Sequence, residues 1–203
     1  MAGRKTYHHG NLRQALVEAT ATLIQEKGPL GFTLAEAARL AGVSPAAPYR
    51  HFAGRDELLE EVARQGFLAF AARLETAFDD GRPRPVTAFL RMGQAYLDFA
   101  SDEPGSYVAM FESGLSIAGN AELSLAADRA MDVMVEAASR LGQPKAGMAP
   151  PPRMIANHIW ALSHGVVELF GRGKPGGRVP FSAADMLESG TLIYLRGLGL
   201  LPE

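Results

Sequence analysis

Apolar positions recur along this chain at intervals of three and four residues, and no run alternates convincingly enough to be a strand. The first stripe is Leu12, Ala15, Leu16, Ala19 and Leu23. It starts after Asn11, with Gln14 three positions on in the manner of a capping box, and Gly28 and Pro29 stop it. The stretch "TLAE" then predicts a second cap, Thr33 bonding to the new helix and Glu36 bonding back. Leu34, Ala37, Ala38 and Ala41 form the buried side of this helix, and Gly42 suits the left-handed position that ends it. After Val43, Ser44 is a good N-cap and Pro45 falls at the first helical position, where its missing N–H costs nothing. A further helix starts near Asp56 and Glu57, whose charges suit the positive end of a helix dipole, and runs to about Phe78.

The stretch "DDGRPRP", residues 79–85, is a punctuated linker. Beyond it helical patterns cover about 86–103, 104–113, 120–141, 152–171 and 182–200, with "GQPKAGMAPPP" and "GRGKPGGRVPF" between the last three. The expected fold is therefore all-α. An N-terminal arm and tri-helical helix-turn-helix domain occupies residues 1–55 and continues into a linking helix to about 78. A C-terminal helical bundle domain fills 79–203. Val43, Tyr49 and Phe52 are expected to pack inward and fix the crossing of the helices.

Charge sharpens the picture. The net charge of −2 over 203 residues hides an asymmetry. Residues 1–55 hold seven Lys/Arg against three Glu, and the remainder holds thirteen basic against nineteen acidic residues. A basic head on an acidic body suits a polyanionic partner for the head. The chain has no cysteine, which excludes disulfides, thiolate zinc sites and cysteine nucleophiles. No apolar run follows the basic Arg4 and Lys5, as a secretory signal would require, and no stretch approaches the ~20 apolar residues of a membrane helix. The expectation is a cytoplasmic protein with no membrane role.

The stretch "GVSPAAPYRHF", residues 42–52, places small residues first and long ones last. A recognition helix enters the major groove of DNA with its N-terminal residues nearest the bases. Pro45, Ala46 and Ala47 would allow close approach and could touch thymine methyl groups. Ser44 and the free amides beside it could hold a phosphate. Tyr49, Arg50 and His51 supply the polar reach that the first turn lacks, and Phe52 anchors the end. Pro48 is out of place in a helix interior. Arg4 and Lys5, on an arm ahead of the tri-helical unit, could lie along the backbone or minor groove. Two packed helices without a ligand would satisfy the same apolar pattern.

"FTLAEAARLAGVSPAAPYRHFAGRDELL" closely resembles the DNA-binding signature of the TetR family of bacterial transcriptional regulators. The shared marks are the Thr cap, the Gly-Val-Ser turn, and Tyr-x-x-Phe followed by a basic residue and Glu-Leu-Leu. "YHHGNLRQALVEA" is similar to the first helix of one subgroup. "IWALSHGVVELF", with Trp160, His164 and Gly165, is similar to the C-terminal domain of the same subgroup. The resemblance implies that Thr33 and Arg55 fall at phosphate-contacting positions and Pro45, Ala46 and Ala47 at base-contacting ones. It places Tyr49 and His51 on backbone-contacting positions. Pro48 departs from it, since most members carry Leu, Ile or Val there. The resemblance also implies a homodimer on a palindromic double-stranded operator, released by a small-molecule effector, with repression as the family default.

In the second domain Phe89, Met92, Tyr96 and Phe99 share one helical stripe, followed by Tyr107, Met110 and Phe111 and then Met131 and Met134. Methionines make adaptable pocket walls. Each of these residues taken singly also suits ordinary core. With the family resemblance they become candidate ligand-binding residues, and Trp160, His164 and Asn157 are the polar-capable groups that could orient a ligand. Ile155, Ile159, Leu162, Val166 and Leu169 run near heptad spacing, and Gly190 and Gly197 lie seven apart. These residues are the expected dimer interface.

Enzyme readings are thin. "GRGKPG", residues 171–176, matches G-x-G-x-x-G but follows a helical pattern and carries Pro175 where a helix should open, so it reads as a loop. No nucleophile–base pair and no H-E-x-x-H occurs, and His158 and His164 do not share a helix face. No enzyme activity, cofactor or metal is expected. The alternative of a different class is a helical small-molecule-binding protein with no DNA role.

Overall fold

The structure, a computed structural model, describes residues 12–142, 150–171 and 180–201. Eight α-helices are described: α1 (Leu12–Lys27), α2 (Leu34–Leu40), α3 (Arg55–Phe78), α4 (Pro85–Asp102), α5 (Pro104–Phe111), α6 (Ala121–Ser139), α7 (Pro152–Phe170) and α8 (Ala183–Gly197). No strand occurs among the described residues. None of the described helices is long and apolar enough to cross a membrane. By packing the chain divides into two units, Met1–Gly66 with Pro104–Leu123 and Phe67–Glu103 with Ser124–Glu203.

In the first unit α1 buries Leu16, Val17, Ala19, Leu23 and Ile24, a stripe at helical spacing. The capping box of α2 forms as its sequence predicts. Thr33 Oγ1 accepts from the Glu36 amide at 3.2 Å, and Glu36 accepts from the Thr33 amide at 3.0 Å. Such a cap contributes about 1 kcal/mol. Gly42 ends the helix at φ +73°, where a side chain would be strained. Helix α5, which follows the 79–85 linker in sequence, packs in this unit against α1. The approach is so close that a Cβ on Gly105 would lie 2.0 Å from the Ala21 carbonyl oxygen.

The second unit is built on the later part of α3 with α4, α7 and α8 and most of α6. Helix α4 buries Ala88, Phe89, Met92, Ala95, Tyr96 and Phe99, the stripe visible in the sequence. Pro85 and Pro152 open α4 and α7 in the first turn, where no intrahelical N–H is needed. Ser182 and Asp185 form a capping box at the start of α8. Helices α7 and α8 meet through Gly190, where an added Cβ would sit 3.1 Å from Leu162 Cδ2.

Candidate functional site

The stretch from Ser44 to Phe52 does not form the α-helix that its Ser-Pro start predicts. A turn at 45–47 leads into a single 3₁₀ turn, Pro48–Arg50. Pro48 has no N–H to give to the Ser44 carbonyl, and in an α-helix its ring would crowd that oxygen. The Ser44 carbonyl instead accepts from the Ala47 amide at 2.9 Å, and the Pro48 carbonyl takes the amides of both His51 and Phe52 at 2.9 Å. Pro48, the one departure from the resemblance noted in the sequence, is therefore where the helix is lost.

Two side chains anchor this turn from below: Pro48 is buried and Phe52 is 1% exposed. Tyr49 was expected to pack inward and does not. It is 65% exposed, because a 3₁₀ turn rotates it away from the face that Pro48 and Phe52 occupy. Ser44, Pro45, Ala46, Arg50 and His51 are also exposed, and Ala47 is half-buried. Arg50 makes no ion pair among the described residues. Tyr49, Arg50 and His51 thus stand outward on consecutive positions of one short, anchored turn.

Two other candidates are engaged within the chain. Thr33 Oγ1 is committed to its cap and also donates to Glu36 Oε2 at 3.0 Å. Arg55 gives Nε and Nη2 to Asp56 Oδ1 at 3.0 and 2.7 Å and Nη1 to the Leu30 carbonyl at 3.4 Å. Its charge is thereby offset locally. Arg4 and Lys5 lie outside the described residues, as does most of the "GRGKPG" loop.

Sequence reasoning missed a buried charge in the same unit. Glu61 has only 6% of its side chain exposed and pairs with Arg13 at 3.2 Å and with Arg64 at 2.8 Å. Burial pushes its carboxyl up, but hydrogen bonds from Arg64 and Gln65 and the charges of Arg64 and Arg13 outweigh this and hold it below the ordinary carboxylate value. Arg13 also covers the Phe52 ring, its Cζ 4.9 Å from the centroid. The missed signal is a glutamate three residues after Leu58 on a helix whose Leu58 and Val62 are fully buried. Beside it opens a cleft of about 420 Å³ lined by Arg13 and Arg64 and by Glu57, Glu60, Glu61 and Glu122. With four carboxylates to two guanidinium groups, its field disfavours a polyanion.

In the second unit an aromatic cluster forms around Phe70. The Tyr96 and Phe99 rings lie 5.0 and 5.1 Å from it, and Trp160 lies 6.2 Å away, edge to face. Such pairs add about 0.5–1.5 kcal/mol each beyond their buried area. Tyr96 Oη and His164 Nδ1 are 3.3 Å apart, which puts two polar groups beside this apolar surface. Phe89, Met92, Phe99 and Met134 are buried, while Met131, Trp160 and His164 are half-buried. Asn157 is exposed. Met110 and Phe111 belong to the first unit, where Met110 abuts Gly66 and the Phe111 ring lies 4.9 Å from that of Tyr107, tilted to it. Phe70, not singled out from the sequence, is the centre of the cluster.

The expected interface residues divide. Ile155, Ile159 and Val166 are buried in the chain's own core, and Leu162 faces Gly190 of the same chain. The outward side of α7 is instead Met154, Ala161, Gly165 and Leu169, and that of α8 includes Ile193 and Gly197. His158 Nδ1 and Tyr194 Oη, 2.8 Å apart, tie the two helices, and burial pushes the Tyr194 hydroxyl up from its ordinary pKa.

Comparison with known proteins converges on one group. Residues 16–62 match the family model described as bacterial regulatory proteins, tetR family. Residues 89–192 match the model described as tetracyclin repressor-like, C-terminal domain. The HTH-type transcriptional regulator BetI of Rhizobium meliloti is 34% identical over 104 residues, 49% of this chain and 50% of BetI. The chain spans about half the length of the curated relatives it matches. A solved structure of a Rhodococcus sp. RHA1 protein superposes with a TM-score of 0.80 at 28% identity, covering 97% of this chain and 100% of that one. A structure of AibR in complex with isovaleryl coenzyme A and operator DNA has the same fold, with a TM-score of 0.68 at 18% identity over 90% of this chain and 97% of that one.

Proposed function

This chain belongs to the TetR family of bacterial regulatory proteins, and we propose that it is a repressor that binds a palindromic DNA operator as a homodimer and leaves it when a small molecule binds. The observation that carries the reading is the outward Tyr49, Arg50 and His51 on a turn anchored by Pro48 and Phe52. That arrangement offers a groove one planar cation, one phenol and one imidazole, with no ion-pair partner for Arg50 among the described residues. Ser44, Pro45, Ala46 and Ala47 form the slim leading edge of the turn and let it approach the bases. Thr33 and Arg55, committed internally, act chiefly by holding the frame, and Arg4 and Lys5 add charge from the N-terminal arm.

The test is fluorescence anisotropy on a duplex that the protein enriches from a random-sequence pool. Arg50→Ala should weaken binding, and if the residue meets a phosphate the slope of log affinity against log salt should fall by about one. Arg50 is exposed, so the variant should fold like the parent. Failure to enrich any duplex would remove the DNA reading altogether.

The effector site is assigned to the aromatic cluster. Phe70, Tyr96, Phe99 and Trp160 would take an apolar or flat body, Met92, Met131 and Met134 would adapt to its shape, and the Tyr96–His164 pair would orient a polar end. The complex of AibR with isovaleryl coenzyme A and operator DNA offers a precedent for a protein of this fold holding both a small molecule and DNA. A ligand shifts DNA affinity only by its differential affinity for two arrangements of the protein, typically about 1–3 kcal/mol. Reciprocity requires DNA to shift ligand affinity by the same factor. Titrating candidate ligands against Trp160 fluorescence, with and without the enriched duplex, should give two different affinities. Equal affinities would rule out release by the effector.

A further inference from the structure

The DNA-reading turn has little stability of its own. One 3₁₀ turn closed by a few backbone bonds cannot hold its pose unaided. Its position depends on what grips Pro48 and Phe52. The exposed side of that grip is Arg13, whose guanidinium lies over the Phe52 ring at 4.9 Å. Arg13 is 45% exposed, and a half-exposed arginine left alone would spread over many rotamers.

Glu61 removes that freedom. Its carboxylate is fixed independently of Arg13, since Oε2 accepts from Arg64 Nε and Oε1 accepts from Arg64 Nη2 and Gln65 Nε2, all at 2.8 Å. The contact with Arg13 Nη2, at 3.2 Å to Oε2, is then made to a carboxylate already in place. Arg13 is thus aimed at Phe52 by a group on α3, and Phe52 is bonded through its amide to the Pro48 carbonyl inside the turn. We propose that Glu61 is a positioning residue for DNA reading, holding Arg13 on the Phe52 ring and so fixing the turn that presents Tyr49, Arg50 and His51.

This inference rests on the DNA-binding reading, and the experiment separates the two. Affinity is measured for the duplex that the wild-type protein enriches from a random pool and for a scrambled duplex of equal length, with Glu61→Gln, Arg13→Lys, Arg13→Met and the Glu61→Gln/Arg13→Met pair. A misaimed turn loses specific contacts but keeps its charge. Glu61→Gln should therefore weaken binding to the enriched duplex about tenfold and leave the scrambled duplex nearly unchanged. Arg13→Lys keeps the charge but loses the planar fork and the stack, and should behave alike. The double variant should be no worse than the worse single one, since both break one linkage. If Arg13→Lys retains full specific affinity while Arg13→Met weakens both duplexes equally, Arg13 is a phosphate contact and the proposal fails. An unchanged ratio of specific to scrambled affinity in Glu61→Gln also overturns it. Should Glu61→Gln fail to fold, the half-exposed Arg13→Lys decides alone. Wild-type protein that enriches no duplex would sink the DNA reading itself.

Discussion

Gly105→Ala is expected to lower the melting temperature by about 10 °C, with a loss of about 3 kcal/mol or more. A Cβ there would lie 2.0 Å from the Ala21 carbonyl oxygen, 2.7 Å from its carbon and 3.1 Å from its Cα. All three are backbone atoms in the middle of α1, so no side chain can swing aside to make room. Helix α5 would have to withdraw from α1, uncovering Tyr107, Val108 and Met110, which are now buried. The control is Gly54→Ala, where a Cβ would meet nothing within 4 Å; because Gly54 accepts the first helical bond of α3, from the Leu58 amide, this variant should lose no more than about 1 kcal/mol. A Gly105→Ala protein that melts with the wild type would mean that the two helices do not approach so closely. Because α5 and the turn proposed to read DNA share one packed unit, the same variant is also expected to weaken DNA binding when assayed below its melting point.

The sequence made the helices legible wherever local chemistry alone decides them. Thr33 and Glu36, Gly42, and the Phe89–Met92–Tyr96–Phe99 stripe all encode their structure within a few residues, through capping, a left-handed φ or helical periodicity. It was misleading where two local signals conflicted. Ser44 and Pro45 announce a helix start, and Pro48 cancels it three residues on, leaving a 3₁₀ turn and an exposed Tyr49. It was silent where the deciding partner is distant. Nothing near Gly105 reveals Ala21, and nothing near Phe52 reveals that Arg13 covers its ring. The aromatic cluster was half legible for the same reason. Periodicity selects Tyr96 and Phe99, but only packing brings Phe70 and Trp160 against them. Heptad spacing likewise finds which residues of α7 are apolar without telling which of two apolar sides meets the chain's own core. Ile155, Ile159 and Val166 took that side.

The other side of α7 supports the second large effect. Among the described residues, Met154, Leu169, Phe181 and Ile193 are 48%, 58%, 57% and 69% exposed, and all lie on or beside α7 and α8. Between Met154 and Leu169 the outward positions of α7 are small, with Ala161 exposed and nothing within 4 Å of a Cβ added at Gly165. Large apolar ends around a small-residue centre suit a second copy of the same two helices crossing closely, in the isologous manner of a two-fold dimer. A stable interface of this kind removes about 1,600 Å² from water, and charge placed on its apolar ends is costly because it must be buried unpaired. Leu169→Glu combined with Ile193→Glu should therefore give a monomer by sedimentation while leaving the helical content unchanged, since neither side chain supports its own fold. Loss of the dimer removes the avidity of two half-sites, so affinity for a palindromic duplex should fall by about a hundredfold or more, whereas affinity for a single half-site should barely move. A double variant that still sediments as a dimer would place the interface elsewhere on the chain.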